Sequence, residues 1–129
     1  MDTPFKPRTE FKNILADTLT PVGIYLRLRD NFPGSLLLES NEYGQRSNSY
    51  SFICCNPISS FILTQEQLEI QLPDDSIQTQ PVDSNFDLIH ALETYKNLFT
   101  ATDHQFNFPC QGLFGYLGYD AVQYFEDLE

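Results

Sequence analysis

The sequence predicts an α+β fold, an antiparallel β-sheet with flanking helices, and three observations carry that reading. Apolar and polar side chains alternate with a period of two over Leu68, Glu69, Ile70, Gln71 and Leu72, the pattern of a half-buried strand. The run Leu36, Leu37, Leu38 ends abruptly at Glu39 and Ser40. After a polar loop the chain turns apolar again at Tyr50, Phe52 and Ile53, giving strand, loop, strand. Helix-opening signals at Thr20-Pro21 and at residues 84–87 place helices among these strands, and such a mixed order defines the class.

Taken in order, residues 1–8 are polar and hold two prolines, which predicts a frayed or loosely docked terminus. Phe11, Ile14 and Leu15 fit one face of a short helix, and a strand is equally open there. Thr20 as N-cap with Pro21 at the first helical position opens a helix through VGIYLRLRDNF, stopped at Pro33-Gly34. Ile24, Leu28 and Tyr25 form its apolar face, with Arg27 and Asp30 outward.

Beyond the Leu36–Ile53 stretch, Asn56-Pro57 marks a turn, and Ile58 to Leu63 reads as a strand. A turn at residues 73–76 follows the alternating strand. Ile77 to Val82 is expected at a sheet edge, because Pro81 cannot donate to a ladder. Ser84-Asn85-Phe86-Asp87 resembles a capping box, with aspartate where glutamate is usual, ahead of a helix through Leu88, Leu92 and Tyr95 ending near Thr100. Residues 101–109 read as loop. Gly112, Gly115 and Gly118, spaced by three, lack the GxG turn of a dinucleotide-binding loop and read as glycines in a strand.

At 129 residues and 41% hydrophobic content the chain is the size of one domain, residues 1–129, and too apolar to be disordered. Its formal net charge is −11, and the excess is uneven: residues 47–129 carry Lys96 against twelve acids. That surface repels phosphate backbones and anionic membranes, so nucleic-acid and membrane partners are not expected. The amino terminus lacks a signal-peptide core and no apolar run approaches the roughly 20 residues of a membrane span, predicting a soluble, cytoplasmic protein. Cys54, Cys55 and Cys110 are odd in number and read as small buried hydrophobes in a reducing compartment. His90 and His104 stand apart, no CxxC or HxxxH spacing offers a zinc site, and no metal site is expected in this chain.

Glu39 is the residue that needs a reason. A carboxylate at the mouth of an apolar strand must be solvated, paired or aimed at a ligand, because burying it bare is costly.

Four pieces, TPVGIYLRLRD, LLLES, SYSFI and GLFGYLGYDAVQYFE, follow in an order and spacing that resemble the N-terminal domain of anthranilate synthase component I and of its relative aminodeoxychorismate synthase component I. The resemblance spans residues 9–129. It implies an incomplete part of an α/β/β/α sandwich, with a strand at the first apolar patch and a glycine-bearing strand running into a short helix near Tyr119 and Asp120. Tyr116, Tyr119 and Asp120 are then structural, the Tyr119–Asp120 pair anchoring strand to helix.

The resembling enzyme converts chorismate and ammonia, free or glutamine-derived, to anthranilate and pyruvate with Mg2+. Its chorismate and metal ligands lie in a C-terminal chorismate-binding domain not included in this sequence. The chain is therefore expected to be an inactive fragment without catalytic residues or a cofactor of its own. Its expected partners are that C-terminal domain and the glutamine amidotransferase, component II, with self-association of the fragment through an uncovered apolar face. The resemblance further implies part of a site for L-tryptophan as feedback inhibitor. Glu39, Ser40 and Ser51 would line it, with Leu38 and Pro21 beside them.

The chemistry suits such a ligand: a carboxylate for the ammonium, hydroxyls or backbone donors for the carboxylate, and an apolar slot for the indole. Many family members read GERWGRYSFIG where this chain has GQRSNSYSFIC, so Ser47 stands for a tryptophan and Ser49 for an arginine, while Arg46 and Tyr50 remain. Two other readings stay open: the same domain of the aminodeoxychorismate enzyme of folate synthesis, and a free-standing small-molecule binding module.

Overall fold

The structure is a computed structural model that describes residues 4–40, 49–100, 106, 108 and 110–126. Arg46, Ser47 and His104 lie outside the described residues. The fold is α+β, with two small antiparallel sheets and a few helices. The chain divides into two compact units, Phe11–Pro57 and Met1–Glu10 with Ile58–Glu129.

In the first unit, helix α1 (Pro21–Leu28) starts as the sequence dictates. Thr20 is extended, and its Oγ1 accepts the Gly23 N–H at 3.0 Å. Pro21 sits where a missing N–H costs nothing. A Cβ at Gly23 would lie 2.9 Å from Thr20 Oγ1, so a side chain there would make the capping hydroxyl shift. Ile24, Tyr25 and Leu28 are half-buried while Arg27 and Asp30 are exposed. The helix ends at Leu28, short of the expected Pro33-Gly34 stop. Proline bars its predecessor, Phe32, from helical dihedrals, so the last turn loosens early. The N–H groups of Asn31 and Phe32 both turn back to the Leu28 carbonyl, and Gly34 takes a φ of 83°. Residues 11–16 form neither helix nor strand, and Leu15 is 83% exposed.

Strands β1 (Leu36–Glu39) and β2 (Ser51–Cys54) pair antiparallel, with Leu36 opposite Cys54 and Glu39 opposite Ser51. Their apolar residues are only half-buried. Every fully buried apolar residue named among the described ones (Leu68, Leu72, Leu88 and Tyr95) belongs to the other unit. Cys55 is exposed, contrary to the expectation of a buried thiol, because β2 has ended and Asn56 turns the chain with a φ of 51°. Cys54 and Cys110 are half-buried.

The second unit holds β3 (Ser60–Leu63), β4 (Gln67–Gln71) and β5 (Ile77–Pro81) in the order β3-β4-β5, all antiparallel. Leu68 is buried and Ile70 half-buried, on the face they share with Phe61 and Leu63 across the ladder. Helix α2 (Leu88–Asn97) covers that face through Tyr95, whose ring lies 5.3 Å from Phe61. Its cap is Asp87 and not Ser84: the Asp87 carboxylate accepts the His90 N–H at 3.0 Å. The Asp83 carboxylate takes the Asn85 N–H at 2.8 Å, so residues 83–86 are a turn that delivers Asp87 to the cap position.

Two expectations fail here. The amino terminus is tied down at Phe5, which forms a parallel bridge to Phe99: its N–H reaches the Leu98 carbonyl at 2.7 Å and its carbonyl takes the Thr100 N–H at 2.9 Å. A chain of rings, Phe61, Tyr95, Phe99 and Phe5, explains the docking, because it removes apolar surface from water. The segment 113–118 is not a strand, since no ladder accepts it among the described residues. A 3-10 helix, Tyr119–Tyr124, follows it. Tyr119 is 89% exposed and Tyr116 nearly so, so these side chains anchor nothing within the described residues.

Candidate functional site

The β1–β2 ribbon places Glu39 and Ser51 directly opposite each other at its loop-side end. The Ser40 N–H donates to the Tyr50 carbonyl at 2.9 Å, which extends the ladder by one rung. That bond fixes the phase. Ser40–Tyr50 and Leu38–Phe52 are hydrogen-bonded pairs, so Glu39–Ser51 is a non-hydrogen-bonded pair, the kind whose side chains approach most closely. The Ser51 hydroxyl accordingly donates to Glu39 Oε1, at 3.4 Å.

Strand alternation sorts the remaining residues. Glu39 and Ser51 share a face with Leu37 and Ile53, whereas Leu38 belongs with Phe52 on the other face, toward which the ladder's phase also assigns Ser40. Pro21 opens α1, which lies against both strands. The structure thus brings two of the five residues, Glu39 and Ser51, together as a hydrogen-bonded pair. It puts Leu38 and Ser40 within one position of Glu39 but across the ribbon.

Glu39, Ser40 and Ser51 are all exposed. The arrangement offers a carboxylate, a hydroxyl already turned to one of its oxygens, and flanking aliphatic side chains. Such a set can hold a cationic or amine-bearing group by a charge-assisted hydrogen bond. The sequence marked Glu39 as the polar end of an apolar run and Ser51 only through the family resemblance, so their cross-strand partnership was not readable in it.

Nearby, burial and then the neighbouring Cys55 push the Cys54 thiol above its ordinary value, which makes it a poor nucleophile. A cleft of about 440 Å3 in the other unit is lined by Gln65, Asp83, Ser84, Phe86 and Gln123. Two of its polar groups are engaged locally: an Asp83 carboxylate oxygen accepts the Asn85 N–H and Gln123 donates to the Asp120 carbonyl. No group of three or more His, Cys, Asp or Glu residues suited to a metal ion occurs among the described residues. No helix among the described residues is long and apolar enough to cross a membrane.

Comparison with known proteins gives the ancestry. The chain is 34% identical over 120 residues to anthranilate synthase component 1 of Acinetobacter calcoaceticus, covering 90% of this chain and 23% of that protein. It is 34% identical over 116 residues to the Pseudomonas putida protein of the same name, covering 87% of this chain and 22% of that protein. To the one from Aquifex aeolicus it is 30% identical over 119 residues, 92% of this chain and 24% of that protein. This chain belongs to the anthranilate synthase component 1 family, as its N-terminal region. It spans less than a quarter of the length of these curated relatives. No family model and no solved structure matches it. Within the anthranilate synthase component 1 family, then, the β1–β2 ribbon and its Glu39–Ser51 pair belong to the portion this chain represents.

Proposed function

We propose that this chain is the regulatory and structural N-terminal part of an anthranilate synthase component 1. The whole protein converts chorismate and ammonia to anthranilate and pyruvate in tryptophan biosynthesis. The observation that carries the regulatory part is the Glu39–Ser51 pair: an exposed carboxylate with an oriented hydroxyl at the end of an apolar ribbon. Glu39 holds the ammonium of a free amino acid, L-tryptophan, with Ser51 beside it on the same face, while Ser40 and Leu38 flank the ligand from the ribbon's other face and Pro21 from the start of α1. Chorismate, Mg2+ and the catalytic groups belong to a C-terminal chorismate-binding domain, and ammonia comes from a glutamine amidotransferase, component II, in the cytoplasm. The 129-residue chain alone is inactive and self-associates through side chains such as Ile14 and Leu15, which are exposed here.

The test uses the longer protein that carries this region, with chorismate, ammonia and Mg2+. Anthranilate as product, inhibited by tryptophan in wild type and much less so in Glu39→Gln, is the expected result. 4-Amino-4-deoxychorismate as product would assign the chain to the aminodeoxychorismate enzyme, for which Ser49 in place of a pocket arginine is the favouring feature. Full tryptophan inhibition in Glu39→Gln would remove the carboxylate from the site. Submicromolar tryptophan binding by the 129-residue chain alone would favour a free-standing binding module.

A further inference from the structure

Among the described residues strand β5 is an open edge, exposed along its whole length. Its phase is set by two bonds at its ends: Val82 N–H to the Glu66 carbonyl and Leu72 N–H to the Ser76 carbonyl, both 2.9 Å. Ser76, Gln78, Gln80 and Val82 therefore turn their backbone groups to β4, while Ile77, Thr79 and Pro81 turn theirs outward. The outward N–H and C=O groups of Ile77 and Thr79 have no partner among the described residues. Pro81 is explained by the same phase, because the N–H it lacks would have pointed away from β4. Residues 76–82 carry no charge, yet they are bracketed by Asp74 and Asp75 at one end and Asp83 at the other.

A bare, neutral edge invites a further strand, and charge decides which one. A second copy paired antiparallel brings Asp74 and Asp75 opposite or next to Asp83 at both ends. Paired in parallel, it sets like acids side by side. Either arrangement stacks like charges. A strand with basic residues at both ends meets a carboxylate at each bracket instead.

We infer that the outer edge of β5 docks an extended polypeptide segment, uncharged over its middle and carrying Lys or Arg about eight positions apart, roughly 26 Å on a strand rise of about 3.3 Å per residue. Backbone bonds come from Ile77 and Thr79, and the acidic brackets select the ends. This docking does not depend on the amino-acid site at Glu39.

The test is fluorescence anisotropy with the 129-residue chain and two labelled nine-residue Thr/Val peptides, one with lysine at both ends and one with glutamate. The lysine peptide is expected to bind at least about tenfold more tightly, and salt should weaken it. Thr79→Pro removes one outward N–H without touching the β4 ladder and should abolish binding. Asp75→Asn with Asp83→Asn leaves the edge intact and should erase the preference between the peptides. Equal binding of both peptides by wild type, undiminished binding by Thr79→Pro, or no binding of either overturns the inference. Self-association of wild type that Thr79→Pro removes, seen by sedimentation velocity, would assign the edge to a second copy and likewise overturn it.

Discussion

Ser51 donates its hydroxyl hydrogen to Glu39 Oε1 across the β1–β2 ladder, at 3.4 Å. The bond is long and exposed, so it orients the carboxylate more than it stabilises the fold. Ser51→Ala should therefore leave thermal stability nearly unchanged, within about 0.5 kcal/mol. On the proposed function, Ser51→Ala in the longer protein that carries this region should weaken tryptophan inhibition by a few-fold to about tenfold, the scale of one hydrogen bond. Glu39→Gln should cost more, on the order of tenfold to a hundredfold, because the charge-assisted contact goes with it. Inhibition curves for the three proteins check the order: wild type, Ser51→Ala, Glu39→Gln.

The core of the second unit is closed by a relay that starts on α2. Tyr95, only 2% exposed, donates to Ser59 Oγ at 2.7 Å, and Ser59 donates on to the Gln71 carbonyl. Tyr95→Phe keeps the ring contacts with Phe61 and Phe99 and loses only the phenol. It should cost about 1 kcal/mol, against roughly 3–5 kcal/mol for Tyr95→Ala, which leaves a cavity. Because the two hydroxyls act in series, Tyr95→Phe and Ser59→Ala should be non-additive in a double-mutant cycle by urea denaturation.

At the start of α1, Thr20 Oγ1 accepts the Gly23 amide so closely that a Cβ at Gly23 would crowd it at 2.9 Å. Thr20→Ala should cost about 1 kcal/mol by loss of the cap. Gly23→Ala, ordinarily helix-stabilising, should destabilise here because the new methyl meets the capping oxygen. The pair of signs is the diagnostic. In Thr20→Ala the obstruction is gone, so Gly23→Ala on that background should recover stability, read by urea denaturation.

Much of this was legible beforehand, for local reasons. Thr20-Pro21, Asn56-Pro57, the turn at residues 73–76 and the 68–72 alternation each rest on chemistry within a few residues, and each stands where expected. Pro81 announced an edge, and β5 is one. What failed depended on distant partners. Phe5 is docked because Phe99 is beside it, which no property of residues 1–8 reveals. The glycines at 112, 115 and 118 read as strand, but a strand needs a neighbour, and none takes them among the described residues. Of the candidate site, the polar end of an apolar run marked Glu39, the family resemblance alone marked Ser51, and the register that pairs them, and sets Leu38 on the other face, comes from the ladder.

Two of the three thiols, Cys54 and Cys55, should separate by reactivity. Cys55 is exposed beyond the end of β2, whereas burial and the adjacent Cys55 raise the pKa of Cys54. Thiolate is the reactive form, so limited iodoacetamide at neutral pH should modify Cys55 before Cys54. Peptide mapping after brief exposure checks this. Cys54 labelled first would contradict the placement of β2.

Asp74 offers the clearest pH prediction. Its carboxylate accepts the Ser76 hydroxyl at 2.6 Å and the Ser76 N–H at 3.0 Å, and these bonds, the hydroxyl first, hold its pKa below the ordinary 3.8. A carboxyl whose pKa is lower folded than unfolded binds fewer protons in the native state. Its contribution to stability is therefore present above pH 3.8 and is lost as the pH falls through the folded value. Ser76→Ala removes the larger cause and keeps the backbone bond, so the Asp74 pKa should rise part of the way back. Carboxyl carbon NMR titration reads that shift directly. The stability difference between wild type and Ser76→Ala should then shrink as the pH drops below 3.8 and hold steady above about pH 5. The comparison must be between the two proteins, because acidification also relieves the repulsion of a chain with net charge −11 and changes both absolute curves together. A gap that widens in acid would mean that the Ser76 hydroxyl stabilises the turn by some route other than the Asp74 carboxylate.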